Sequence, residues 1–487
     1  MKRGVPALQP ILRRYQQMKA PAKASLWFLV CGFLQKGIGF LTTPIFTRVM
    51  SEVQYGDYTV YTSWLSIVQI IVSLNLAAGV YTRGLVKNEE DQHRFSSSML
   101  GLSTTCMAVS WVIYGIFHKQ LNSLTGLSTA LMAAMFLEIW GTAAYQFWSN
   151  RERVAFRYQK LVWLTLAYTL LRPALGVVFV LLAPQEQQMP ARVAATVLVN
   201  LLLFTVLYIS ISKKGRCFFH KAYWLYGLRF NLPLLPHYLS QIVLNQSDRL
   251  MIKRYCGSEE AAWYSVAYTL AMVLQILSNS ISSTMNPWIY KTLKKGEAGR
   301  IGGISYGILL LVAAANLLVV AAAPELLGIL APDHYQAALW VIPPVTASVY
   351  FMFLYNLFAT FEYYYEKTRY VMVASVCGAV LNVALNAVCI PRFGFVAAGY
   401  TTLVCYIVYA LAHYLFMRLV CKKQLPGQKI YSGWAIAAIG GGLVAGMGLM
   451  MLFFGMPLVR YAIILGLLSM AICMRKRIVA LLKHTKS

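Results

Sequence analysis

The chain has 487 residues, of which 59% are hydrophobic and only 12% charged, with 43 Lys and Arg against 16 Asp and Glu. Apolar runs of bilayer-spanning length recur from end to end, which excludes a water-soluble globular domain and reads as a polytopic membrane protein. Backbone polar groups in hydrocarbon must find internal partners, so the predicted fold class is all-α, not a barrel of alternating ~10-residue segments.

The first 24 residues carry Lys2, Arg3, Arg13, Arg14, Lys19 and Lys23 without a short apolar core and small-residue cleavage site, and read as a retained cytoplasmic basic arm (1–24). Fourteen predicted spans follow. Six lie at 25–47, 58–82, 96–118, 122–149, 161–183 and 191–212. Past a basic loop at 213–225 come 226–252, 260–288, 301–323, 336–361, 370–390 and 395–417. Two more, at 431–454 and 457–474, precede a basic tail at 475–487.

With both ends in the cytoplasm, thirty-two Lys and Arg fall on cytoplasmic segments, and seven (Arg48, Lys119, Arg192, Lys253, Arg254, Arg392 and Arg460) on the opposite face. That asymmetry is the positive-inside pattern of an even number of spans. The +27 net charge therefore reads as topology and contact with anionic membrane lipid, not nucleic acid. The nine cysteines form no C-x-x-C or His/Cys cluster, so neither a metal site nor a cofactor is expected. The longest loops are about a dozen residues and the four aspartates (Asp57, Asp91, Asp248, Asp333) make no D-x-D motif, which disfavours a membrane polysaccharide polymerase or ligase and points away from an enzyme.

Polar residues inside the spans carry the candidate site. Lys36, Glu138, Arg172 and His237 fall near mid-span, where a charged side chain costs ~2.5–3.5 kcal/mol and is expected to face protein or water. Glu138 and Arg172 lie on consecutive spans at similar depth, where they either neutralise each other or act in transport. His237, beside Pro236, reads as a hydrogen-bonded bundle histidine. Lys36 has no carboxylate at its depth in neighbouring spans and is the leading anion contact. Two polar stripes at helical spacing, Thr62/Ser66/Gln69/Ser73 and Gln275/Asn279/Ser282/Asn286, call for a partner helix or an aqueous cavity. A shift of 206 positions lays Gln35 on Gln241, Arg48 on Arg254, Tyr58 on Tyr264 and Gln69 on Gln275, with Ser73 facing Asn279. This suggests a parallel repeat: an N-terminal lobe at 25–212 and a C-terminal lobe at 226–417 around a central cavity, with 431–474 appended.

Three stretches carry a resemblance: "TPIFTRVMSEVQYGDYTVYTSW" (43–64), "NLPLLPHYLSQIVLNQSDRLMIKRYCGSEEAAWYSVAYTLA" (231–271) and "LNVALNAVCIPRFGFVAAGYTTLVCYIVYALAHY" (381–414). The last holds an I-P-x-x-G-x-x-A-A form at Ile390, Pro391, Gly394, Ala397 and Ala398. In this order they resemble polysaccharide biosynthesis flippases of the O-antigen and capsule type, which are similar in fold to MATE multidrug exporters and lipid II flippases. The resemblance implies translocation of polyprenyl-diphosphate-linked oligosaccharides across the bacterial cytoplasmic membrane by two six-helix lobes opening alternately. It also implies a polysaccharide polymerase and chain-length machinery as partners, and a cationic cavity that Lys36 and Arg172 fit. Gln69, Ser73, Gln275 and Asn279 complete the expected substrate contacts. Arg48, Asp248, Arg249 and Glu138 are expected at a gate or in ion pairs. The alternatives are a lipid II flippase and a drug/cation antiporter, the latter of which would need an acidic cavity.

Overall fold

The computed structural model describes residue 18 and residues 20–473, so most of the basic arm and the tail at 475–487 lie outside the described residues, as does the side chain of Lys36. Seventeen α-helices, and no strand, are found among the described residues. They are α1 (Ala20–Val49), α2 (Glu52–Ser73), α3 (Gly79–Lys87), α4 (Gln92–Thr125), α5 (Thr129–Val154), α6 (Tyr158–Leu182), α7 (Gln188–Gly215), α8 (Lys221–Asn231) and α9 (Leu235–Tyr255). Then follow α10 (Ser258–Lys294), α11 (Gly299–Ala321), α12 (Ala323–Leu330), α13 (Ile342–Tyr364), α14 (Thr368–Phe393), α15 (Val396–Gln424), α16 (Gly433–Leu452) and α17 (Pro457–Cys473).

Ten of these (α1, α4, α6, α7, α10, α11, α13, α14, α15 and α16) are long and apolar enough to cross a membrane. The other predicted spans fall on α2, α5, α9 and α17, helices too polar or too short to meet that measure alone. Such helices cross only where partner helices satisfy their polar side chains.

Two predicted spans are corrected. The span at 58–82 stops at Ser73, because Leu74 and Asn75 adopt left-handed backbone (φ 48° and 51°), and α3 starts afresh at Gly79. The span at 226–252 is broken by a 3₁₀ turn at Leu232–Leu234 between α8 and α9. Pro233 and Pro236 each remove a backbone donor there. His237 therefore sits in the first turn of α9 rather than at mid-helix.

Contacts group the chain into two compact units. The first holds the described residues up to Gly39 and Leu65–Tyr238; the second holds Phe40–Trp64 and the described residues from Leu239 onward. The chain passes between them within α1, α2 and α9. The helix order recurs along the chain: helices starting at Glu52, Gln92, Thr129, Tyr158 and Gln188 have counterparts starting at Ser258, Gly299, Ile342, Thr368 and Val396, 206 to 213 positions later.

In the first unit, the buried rings of Tyr81 and Phe147 meet edge to face at 4.7 Å and the Tyr81 hydroxyl donates to Ser96 Oγ at 2.7 Å, so the Tyr81 phenol is satisfied. The second unit is built around α13, of whose 23 residues nineteen are buried. Its Pro-Pro start (Pro343, Pro344) falls in the first turn, where missing donors cost nothing. Gly394 ends α14 with φ +74°, a left-handed conformation that glycine takes without penalty, which accounts for the glycine of the I-P-x-x-G motif.

Candidate functional site

In the first unit, Glu138 on α5 is buried and Arg172 on α6 is one-third exposed; Arg172 Nη2 donates to Glu138 Oε1 at 3.3 Å. Its Nε reaches Thr196 Oγ1 on α7 at 3.4 Å, and Nη1 reaches the Tyr168 hydroxyl one turn back on α6, also at 3.4 Å. A guanidinium directs five N–H groups in a planar fork, so acceptors on three helices hold it in one orientation. The buried carboxylate offsets part of the positive charge, and about one third of the Arg172 side chain is exposed. Nearby on α1, Gln35 Nε2 donates to the Tyr145 hydroxyl at 3.1 Å, which in turn meets Thr165 Oγ1 at 2.9 Å. Lys36 lies on the same helix.

The stripes divide. Gln69 is half-buried on α2, but Ser73 stands where that helix ends, its hydroxyl accepting the Asn75 N–H at 3.2 Å. On α10, Asn279 is exposed, Gln275 donates to the Met352 sulfur at 3.4 Å, and Asn286 accepts from Thr360 at 3.0 Å.

In the second unit, Asp248 and Arg249 turn apart, as adjacent residues on a helix must. Asp248 is buried and accepts from Tyr264 (2.6 Å), Asn386 (2.6 Å) and Thr402 (2.8 Å). Asn386 also accepts a short hydrogen bond from Thr401, and Ser247 donates to Asn382 at 2.9 Å. The cluster is rich in oxygen ligands of the kind a hard cation takes. No group of three or more His, Cys, Asp or Glu comes together among the described residues. Arg249 instead lies 4.5 Å over the Tyr268 ring and donates to Ser265 Oγ at 3.1 Å and Asn245 O at 3.1 Å. Cation–π contact and neutral acceptors thus replace the expected ion pair.

The hairpin 40–64 explains the polar junction at the end of the first predicted span. Arg48 meets carbonyls rather than a carboxylate: it donates to Gly328 O (3.2 Å) and Ile329 O (3.1 Å), capping the C-terminal end of α12. Thr47 donates to Leu330 O at 2.7 Å. Glu52 accepts from Trp263 Nε1 at 2.7 Å, and Asp57 accepts from Lys253 (2.5 Å) and Ser258 (2.6 Å). Gly56 lies so close to Ser258 that a Cβ there would stand 1.8 Å from its carbonyl oxygen. Only glycine admits that helix start, which is why Tyr-Gly-Asp-Tyr occurs at this turn.

One pair escaped sequence reasoning. Glu362 on α13 and His413 on α15 are fully buried, with Nδ1 and Oε1 2.8 Å apart. Glu362 falls just past the predicted span 336–361, and His413 lies inside the span 395–417; only their pairing through packing of α13 on α15 reveals them.

The profile described as polysaccharide biosynthesis protein matches residues 22–293, and the MatE profile matches 233–388. The chain belongs to the polysaccharide biosynthesis protein family. Among the family's relatives, Lsg locus putative protein 1 of Haemophilus influenzae is 24% identical over 284 residues, covering 56% of this chain and 67% of that protein. The probable low-salt glycan biosynthesis flippase Agl15 of Haloferax volcanii is 21% identical over 419 residues, covering 83% and 85%. In fold, the lipid II flippase MurJ superposes with a TM-score of 0.68 at 12% identity, covering 93% of this chain and 99% of that one. An inward-facing MATE multidrug transporter superposes with a TM-score of 0.60 at 11% identity, covering 84% and 100%. At such identities the likeness establishes a shared fold, and the family match is what carries function.

Proposed function

We propose that this protein is a flippase that moves polyprenyl-diphosphate-linked oligosaccharide units from the cytoplasmic to the outer leaflet by alternating access, for synthesis of a surface polysaccharide such as O-antigen, capsule or exopolysaccharide. The observation that carries the reading is Arg172: a guanidinium inside a membrane span, oriented by three helices and one-third exposed, in a chain of the polysaccharide biosynthesis family. A diphosphate is a strong acceptor for such a fork, and in low dielectric the attraction gains strength. Lys36 is assigned a second phosphate contact. Gln69, Gln275 and Asn279 offer amides to sugar hydroxyls. Ser73 is retained only as a neighbour, since Asn75 already engages its hydroxyl. Arg48 caps a helix end, Asp248 and Arg249 bind side chains of neighbouring helices and Glu138 balances Arg172, and none of the four is assigned to cargo.

The protein is a transporter in this reading, with two six-helix lobes, both termini in the cytoplasm, residence in the bacterial inner membrane and a polysaccharide polymerase downstream. The positive-inside asymmetry supports the orientation. The deciding experiment is mass spectrometry of polyprenyl-diphosphate-linked glycans before and after depletion of the protein. Accumulation of a complete unit on the cytoplasmic side is expected. Unchanged lipid-linked glycans with raised sensitivity to cationic drugs would overturn it in favour of the drug/cation antiporter, a second reading that the MatE match over 233–388 and the buried Asp248 favour. Replacing Lys36 with Ala is expected to abolish export at normal protein abundance; normal export would remove Lys36 from the site.

A further inference from the structure

Each unit carries a basic cavity at the same place in its helix order. In the first, α5 closes with Ala155 N donating to Arg151 O (3.0 Å), Phe156 N to Arg153 O (3.1 Å) and Arg157 N to Glu152 O (2.8 Å). In the second, α13 closes with Tyr365 N donating to Phe361 O (3.0 Å), Glu366 N to Tyr363 O (3.1 Å) and Lys367 N to Glu362 O (2.7 Å). Phe156 and Glu366 share the left-handed backbone, with φ 55° and 57°. A shift of 210 positions maps one turn onto the other bond for bond, and the next helices start at Tyr158 and Thr368.

Beside the first turn lies a cavity of about 600 Å³, bounded also by the end of α7 and presenting Arg151, Arg157, Lys160 and Lys214 against Glu152. Beside the second lies one of about 620 Å³, bounded by the end of α15 and presenting Lys367, Arg369 and Lys423 against Glu366. Both volumes suit a small polar headgroup. Cations outnumber carboxylates in each. Arg151 is buried, yet its carboxylate neighbour Glu152 stands 3.8 Å away, and it donates at 3.3 Å to His93 Nδ1, a neutral acceptor. A buried guanidinium with so little compensation favours an incoming anion. Apolar walls from Leu207 and Val206 in one cavity, and Leu419 and Val420 in the other, adjoin the cations.

We infer that the two cavities are a repeat-related pair of anionic phospholipid sites, each taking one phosphodiester headgroup while the acyl chains stay in the leaflet. Basic pockets between transmembrane helix ends on the cytoplasmic side are suited to such headgroups, and the charge asymmetry assigns both turns to that side. A polyprenyl diphosphate offers the same phosphate chemistry. A flippase cargo has one diphosphate, however, whereas the chain builds this cavity twice, and bulk lipid is the ligand that calls for two. The inference is independent of the cargo.

Native mass spectrometry of the full detergent-purified chain tests it, with phosphatidylglycerol, phosphatidylethanolamine and undecaprenyl diphosphate added separately. Two phosphatidylglycerol molecules are expected to be retained under conditions that strip phosphatidylethanolamine. The double variant Arg157→Gln/Lys160→Gln is expected to lose one, Lys367→Gln/Arg369→Gln the other, and their combination both; Arg300→Gln, outside both cavities, loses none. All four substituted side chains in the cavities are exposed, so folding is expected to hold, and size-exclusion profiles verify it. Equal retention of the two phospholipids, or phosphatidylglycerol binding unchanged in the combined variant, overturns the inference. Undecaprenyl diphosphate displacing phosphatidylglycerol from one cavity overturns it too, and makes that cavity a cargo site.

Discussion

Arg172 and Glu138 face each other across 3.3 Å between α6 and α5, one-third exposed and buried respectively. Removing the cation takes one charged partner from a buried carboxylate, whereas removing both charges leaves no carboxylate to compensate. Arg172→Met is therefore expected to destabilise the protein by roughly 2–3 kcal/mol, less than a fully buried pair would cost because solvent reaches the guanidinium. Arg172→Met/Glu138→Gln is expected to recover most of that stability in thermal unfolding, yet to remain defective in glycan export if Arg172 contacts cargo. Restored export in the double variant would reduce Arg172 to a neutralising partner.

Gly56 predicts a steric effect. A methyl group 1.8 Å from Ser258 O must push α2 away from the start of α10 and stretch the Asp57 contacts with Lys253 and Ser258. Gly56→Ala is expected to cost about 1–3 kcal/mol, the range for overpacking, and to lower the unfolding temperature. Gly303→Ala, with open space around its Cβ position, serves as the control.

His413→Phe leaves Glu362 buried without its partner and is expected to destabilise by about 3–5 kcal/mol. The double change Glu362→Leu/His413→Phe is expected to recover much of the loss, because two apolar groups in a dry site remove the desolvation penalty. A double-mutant cycle on unfolding temperatures reads the coupling directly.

Glu325 on α12 accepts from both guanidinium nitrogens of Arg460, at 2.6 and 2.7 Å, and from the Tyr461 hydroxyl at 2.9 Å. The Arg460 hydrogen bonds hold its carboxyl below the usual glutamate value. A depressed folded-state pKa adds stability above the unfolded value of about 4.3 and loses it as pH falls through the folded value. The attachment of α17 is thus expected to be intact at neutral pH and to weaken below about pH 4.3. Unfolding scans at descending pH are expected to show a drop that Glu325→Gln flattens.

The all-α class and the membrane setting were legible in the sequence because hydrocarbon imposes long apolar helices whatever their packing. The 206-position shift, read from residue identities, is matched by helix starts that recur 206 to 213 positions apart. The candidacy of Glu138 and Arg172 was legible too, since a charge at mid-span is costly wherever it points.

What the tertiary structure decided was partnership. Periodicity tells which residues share a helix face, not what that face meets. Hence Arg48 was expected near a gate or ion pair and caps carbonyls, Asp248 and Arg249 turn to separate partners, and Ser73 closes a helix. Helix breaks at Leu74 and Leu232–Leu234 were hidden for a related reason: hydropathy runs smoothly across them, while backbone conformation and proline geometry do not. The Glu362–His413 pair and the two basic cavities join residues tens of positions apart. Their proximity depends on which helices pack together, and that is settled by complementary surfaces in three dimensions rather than by any local pattern.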